Sequence, residues 1–193
     1  MTLFHDTHFC FGNGNSRKGL DVDKYKKKGT VVGCNAIYRD YWTDYLFAKD
    51  KPITFEIYRS GAWKDRRVSV QTYWRNDSEF RPIQNHISLW SHQRWFKNED
   101  FTDTGTMALR QASHNAMKYL GDKKHGGVEI HMVGFDFDKT NIYSGTSCYH
   151  EGGRFGMTHS FLDTFEMFPE MTYVQHGFMP DVLKEKDNVI LYR

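Results

Sequence analysis

At 193 residues the chain has the length of one domain, and a chain this long buries roughly 70% of the surface it exposes when unfolded. Its 26 Lys and Arg stand against 24 Asp and Glu, a formal net charge of +2, so no global field singles out nucleic acid or a membrane surface as partner. Three cysteines, Cys10, Cys34 and Cys148, are too few and too odd for a disulfide framework and form no CxxC pair for zinc. A reducing, cytoplasmic setting is expected. The start MTLFHDTHFCFG carries no signal-peptide pattern and no stretch approaches about 18 apolar residues, so a soluble protein without a membrane span is expected. Aromatics make up 16% of the chain, which predicts a core built on Phe and Tyr with some rings left for a cleft or an interface.

In chain order, the first apolar run, His8 to Phe11, ends in Gly12-Asn13-Gly14-Asn15-Ser16 and reads as a strand followed by a tight glycine-rich loop. Arg17 to Lys28 reads as a short helix or turn closed by Gly29. Thr30 to Asn35 is the second expected strand and Asp44 to Lys49 the third, ending at Asp50-Lys51-Pro52. Between 53 and 100, "ITFEIYRS", "RRVSVQTYW" and "HISLWSHQRWF" alternate enough to be strands, although "AWKDRR" and "RNDSEFRP" interrupt them. Residues 103–120 give the clearest helix: Asp103 or Thr104 can cap it, Met107, Ala108, Gln111, Ala112, Ala116 and Leu120 share a face, and Gly121 stops it. A strand follows over 127–137. Residues 138–157, rich in Gly and Ser, read as a mobile lid. A helix over 158–168, a short strand over 172–174 and a last strand over 188–192 complete an α/β domain with a mainly parallel sheet flanked by helices, spanning 1–193.

In such a sheet ligands bind beyond the carboxyl ends of the strands, which gathers Asn13, Asn35, Asp50 and Asp136 on one rim. Each has an ordinary alternative. GNGNS can cradle a phosphate or be a plain turn; it is neither a dinucleotide fingerprint, because position 17 is Arg, nor a Walker loop. Asn35 and Asp50 can cap turns, Asp136 can bond backbone amides, and Thr104-Gly105-Thr106 can be only a helix start. His159, at the mouth of a helix among polar neighbours, has the setting of a general base. His150-Glu151 with His159 fits no standard metal spacing. Trp63, Trp74, Trp90 and Trp95 read as core, with acceptor stacking or a homo-oligomer contact as the alternative.

The order GNGxS, a strand ending CN followed by aromatics, a D-K-P segment, a TG helix start, a strand ending GFDF and a THS before a helix resembles the small bacterial sialyltransferases of carbohydrate-active family 42. Those enzymes carry AGNGPS, RCN, TSG, SGIDFY and GHS in this order, and the likeness runs from residue 8 to about 168. It implies a Rossmann-like domain of GT-A-like variant. It also implies that Asn13, Gly14, Ser16 and Asn35 meet the nucleotide near phosphate and ribose. Asp50 then stands near a family Asn, Thr104 and Gly105 lie at the donor, and Gly134, Phe135 and Asp136 line the cytosine and ribose pocket. His159 is the implied base, and Tyr143 stands for a loop tyrosine that steadies the departing phosphate. No metal is required, and the co-substrate is a nucleotide sugar, CMP-linked or another pyrimidine donor. Asp50 for an amide, Asp138 for a tyrosine and a shortened lid depart from the family. Small proteins of this pattern also resemble open reading frames of tailed phages, which adds modified DNA bases to glycans as candidate acceptors. The alternative function is a nucleotide-binding or nucleotide-sequestering protein that kept the rim and lost transfer.

Overall fold

The structure, a computed structural model, describes residues 7–65, 67–70, 78–79, 81, 87–89, 103–120, 127–137, 141–149 and 158–192. Eight strands form one sheet: β1 (Thr7–Phe11), β2 (Thr30–Cys34), β3 (Tyr45–Ala48), β4 (Arg67–Val70), β5 (Ile87–Leu89), β6 (Val128–Val133), β7 (Met171–Gln175) and β8 (Val189–Leu191). Their spatial order is β5-β4-β3-β2-β1-β6-β7-β8, and every pairing is parallel. The chain winds outward from β1 on one side as far as β5, then returns to add β6 on the other side of β1. The β1–β6 seam is therefore the topological switch point, where an open α/β sheet leaves a crevice. This is a Rossmann-like α/β fold.

Both faces of the sheet are covered, so its strands read as continuous apolar runs. Alternation splits β1 between two layers. Phe9 and Phe11 pack with Val22 of α1 (Val22–Lys26) and with Ile53, Phe55 and Ile57 of α2 (Lys51–Ser60). Cys10 packs on the other face with Met107, Ala108 and Ala112 of α3 (Thr104–Leu120) and with Phe161 and Phe165 of α4 (Thr158–Met167). Burial pushes the Cys10 thiol well up and the Cys34 thiol to about 12, so both serve as core. A short α5 (Asp181–Lys184) sets Leu183 into the same layer.

Three expectations change. "ITFEIYRS" is helix α2, not strand: Pro52 sits in its first turn and Gly61, at φ 75°, ends it in the left-handed region. Asn35 does not belong to β2; it opens a 3-10 turn over Asn35–Arg39 at φ 51°. The third strand starts at Tyr45, because the Asp44 carboxylate is used to accept the Val31 amide at 2.8 Å. The strands expected in "RRVSVQTYW" and "HISLWSHQRWF" are present as β4 and β5, and Trp74, Trp90 and Trp95 lie outside the described residues. So do 138–140 and 150–157 of the expected lid, with Asp138, His150 and Glu151. No helix among the described residues is long and apolar enough to cross a membrane.

Candidate functional site

The β1–β6 seam continues past the strands into the loop that follows them. The Gly12 amide donates to the Val133 carbonyl and the Gly14 amide to the Gly134 carbonyl, both at 2.8 Å. A Cβ on Gly12 would lie 2.4 Å from the Gly134 oxygen, and one on Gly14 would lie 2.5 Å from the Asp136 Cγ and 2.7 Å from the Gly134 oxygen. Only glycine lets the two exits touch backbone to backbone. Ser16 then closes the loop: its amide donates to Asp136 Oδ2 at 2.8 Å and its hydroxyl to Asp136 Oδ1. Gly12, Gly14, Ser16, Val133, Gly134 and Asp136 thus form one hydrogen-bonded cradle, with Asn13 carried on it. Phe135 contributes only backbone to it, since its ring is buried against Phe161.

Beside the cradle, three buried side-chain amide oxygens, those of Asn13, Asn35 and Gln175, have no hydrogen-bond partner among the described residues. Asn13 reaches across to the β2 exit, its Nδ2 donating to the Cys34 carbonyl at 3.5 Å, while its Oδ1 is buried and unbonded. The Oδ1 of Asn35, at the head of the 3-10 turn, is likewise buried and unbonded. A buried acceptor left empty costs on the order of 1–3 kcal/mol, and native structures keep few of them. Those of Asn13 and Asn35 lie at the exits of β1 and β2, and that of Gln175 at the exit of β7.

Arg17 lies under the cradle and is 1% exposed. Its Nε donates to the Gly12 carbonyl at 2.9 Å and its Nη2 to the Tyr143 hydroxyl at 3.0 Å. Tyr143 in turn donates to Asp40 at 2.5 Å. Burial, then the Asp40 carboxylate, push the Tyr143 phenol far up, so it keeps its proton. Expected at the departing phosphate, Tyr143 instead has its hydroxyl hydrogen directed at Asp40 and its ring buried.

Residues 141–149 make several hydrogen bonds to the rim and to α2. The Ile142 amide donates to the Asn13 carbonyl at 2.9 Å. Arg39 donates to Thr146 Oγ1 at 2.7 Å and to the Ser147 carbonyl at 2.8 Å. Glu56 of α2 binds Arg39 as a fork at 2.6 and 2.7 Å and also accepts from Tyr38, Ser147 and Cys148. The Arg39 guanidinium beside Glu56 holds its carboxyl down at about 2. Burial and Glu56 push the exposed Cys148 thiol up to about 11, which makes it a poor nucleophile at neutral pH.

On the other face, Asp103 caps α3. Its Oδ1 accepts the Thr106 amide at 2.9 Å, and its Oδ2 accepts the Thr106 hydroxyl at 2.6 Å and the Ser160 hydroxyl at 3.2 Å. This ties the heads of α3 and α4 together. Thr104 and Gly105 form the first turn of α3, both buried, and His159 belongs to the first turn of α4, one residue before the tied Ser160; its side chain is not among those described. Asp50 lies at the head of α2, exposed, with its carbonyl accepting the Thr54 amide at 3.0 Å and the Thr54 hydroxyl at 2.8 Å. Among the described residues no three His, Cys, Asp or Glu side chains converge as metal ligands.

Sequence reasoning missed Arg17, a buried charged residue whose Nε bonds the glycine loop. It also missed Gln175, although the same pattern of a strand ending in a polar residue points to it. Gln175 is fully buried and donates to the Phe135 carbonyl at 2.9 Å, binding β7 to the cradle.

No protein-family model and no curated protein matches the chain. Among solved structures it is similar in fold to the sialyltransferase CstII from Campylobacter jejuni, in complex with a substrate analogue, cytidine-5'-monophosphate. The TM-score is 0.54 at 15% identity, over 90% of this chain and 81% of that one. A mutant of the same α-2,3/8-sialyltransferase gives a TM-score of 0.49 at 16% identity, over 88% and 80%. At this identity the likeness to CstII is one of fold: a sialyltransferase-like, Rossmann-like sheet with its helices.

Proposed function

We propose that the chain binds a pyrimidine nucleotide at the β1–β6 rim and acts as a metal-independent, inverting glycosyltransferase on a nucleotide-activated sugar such as a CMP-sugar. The observation that carries this reading is the pair of buried, unbonded amide oxygens of Asn13 and Asn35 beside a glycine cradle at the switch point. Ribose hydroxyls or an exocyclic amine supply the donors those oxygens lack. On this reading the phosphate lies against the Gly12–Gly14 loop, with Ser16, Gly134, Phe135 and Asp136 around it. Thr104 and Gly105 at the α3 head, and Asp50 at the α2 head, face the donor. The fold shared with an enzyme solved with cytidine-5'-monophosphate supports the same ligand class.

In the reaction, His159 takes the proton from an acceptor hydroxyl. The oxygen attacks the anomeric carbon from the side opposite the phosphate, a carbon–oxygen bond forms, and the bond to phosphate breaks with its electron pair leaving on the nucleotide. Tyr143 acts one layer back, holding Arg17 under the cradle. The commitment of Tyr143 to Asp40 and of Asp136 to Ser16 favours one second reading, a nucleotide-sequestering protein without transfer.

A thermal-shift panel of CMP, CDP, UMP and UDP tests the ligand. A nucleotide at a hundred times its Kd stabilises the fold by about 2.7 kcal/mol, an upward shift of roughly 5–10 °C. No shift with any of the four would overturn the nucleotide reading. Nucleotide release from a CMP-sugar, abolished in His159→Ala with CMP affinity unchanged, supports transfer; tight binding without release in the wild type selects the sequestering protein.

A further inference from the structure

Beyond β7 the chain turns at Gly177, φ 89°, and displays Phe178. The ring is 68% exposed, more than any other large apolar side chain among the described residues. Its backbone is nevertheless pinned. The buried Gln175 amide donates to the Phe178 carbonyl at 2.9 Å and to the Phe135 carbonyl at 2.9 Å, and Met179, the next residue, is buried. The turn also packs on the cradle, since a Cβ on Gly177 would lie 3.1 Å from the Ser16 Cβ.

Turns in water ordinarily carry Gly, Asn, Asp, Ser or Pro, for which backbone and hydrogen-bonding reasons exist. A phenylalanine in this place gains nothing for folding while its ring stays in solvent. The position decides what can cover it. On the β2 side residues 141–149 lie against the rim, the Ile142 amide bonded to Asn13, Thr146 and Ser147 to Arg39, and Ser147 and Cys148 to Glu56 of α2. A nucleotide whose phosphate and ribose occupy the Gly12–Gly14 and Asn13–Asn35 positions reaches the Gly177 turn with its base when it runs toward β6 and β7, past Ser16, against which that turn lies.

We propose that Phe178 is the stacking platform for the base of the nucleotide. The inference rests on the nucleotide reading above and adds a residue to it. Stacking uses the π-face that every base has, so Phe178 contributes affinity and leaves the choice of base to the polar groups of the rim.

The test is calorimetric titration of the full chain with CMP and, separately, with ribose 5-phosphate, for the wild type, Phe178→Ala and Phe178→Trp. Phe178→Ala is expected to lose at least about fivefold in CMP affinity and none for ribose 5-phosphate, while Phe178→Trp retains CMP binding. Unchanged CMP affinity in Phe178→Ala overturns the platform and leaves the nucleotide site standing. Equal losses for both ligands overturn it as well, because they mark a disturbed turn. A wild type that binds neither ligand removes the nucleotide reading and the platform with it.

Discussion

Replacing Glu56 by Gln tests what holds residues 141–149 against the rim. One oxygen of Glu56 accepts from Tyr38 at 2.5 Å and from Arg39 Nε at 2.6 Å; the other accepts from Arg39 Nη2 at 2.7 Å, Ser147 at 2.9 Å and Cys148 at 3.2 Å. Glutamine keeps one oxygen and turns an NH2 toward hydrogens that need an acceptor, so one arm of the fork is lost and the Arg39 charge is left without its counter-charge. Hydrogen bonds to charged groups contribute roughly 1.5–3 kcal/mol, and partial exposure of both side chains, 19% and 24%, places the loss at about 2 kcal/mol. For a chain of this size that lowers Tm by about 4–8 °C. The pH dependence has a definite sign. The folded carboxyl is held at about 2, below its ordinary 4.5, so its stabilisation is complete above about pH 4.5 and fades as the pH falls through 2. Urea unfolding of wild type and Glu56→Gln at pH 7 and across pH 5 to 2 is the assay. A gap under about 0.5 kcal/mol at pH 7, or one that persists undiminished at pH 2, would refute the reasoning, because the first denies the energy and the second denies its charge.

Asn35→Gly removes a buried acceptor without a donor and relieves a φ of 51°, so the ligand-free chain is expected to keep its stability or gain up to about 1 kcal/mol while CMP affinity drops by about tenfold. Denaturation and titration of the same preparation check it, and a destabilised variant with normal affinity would show that Asn35 serves the fold alone. Arg17→Met leaves the Gly12 carbonyl and the Tyr143 hydroxyl without their buried donor and is expected to cost about 3 kcal/mol, read as a Tm lowered by roughly 6–12 °C. A fall under 2 °C would mean that the cradle does not depend on it. Lysine should rescue poorly, since one ammonium on a flexible stem does not reproduce the planar fork that reaches both acceptors.

The strands around the switch point were readable because a sheet covered on both faces writes each strand as a short apolar run with a polar residue behind it, as in "HFCFGN" and "VVGCN". The α3 helix was readable from its cap and its small residues. Helix α2 was misread because Ile53, Phe55 and Ile57 alternate as in a strand; the Pro52 and Gly61 that bracket it are the signals that outweigh that alternation. What the residue order could not disclose is engagement. Asp136 and Tyr143 read as ligand groups from their place in the chain; that Ser16 bonds the one and Asp40 and Arg17 the other, through ties of 120, 103 and 126 residues, is visible only in the fold. Phe178 was invisible for the converse reason, since only burial of its neighbours makes its own exposure stand out.

The placement of β6 beside β1 governs when the rim can exist at all. The cradle is sewn by contacts 120 and more residues apart, and closing so long a loop is the slow, late event in folding. A growing chain that has made β1 through β5 already carries Asn13 and Asn35, but it has no Gly134 carbonyl to receive Gly14 and no Asp136 to close on Ser16. It is a half-sheet with one raw central edge. The proposed site is therefore a property of the finished topology, and a nucleotide bound there would act as a rivet through the seam by which the second half of the chain is joined to the first.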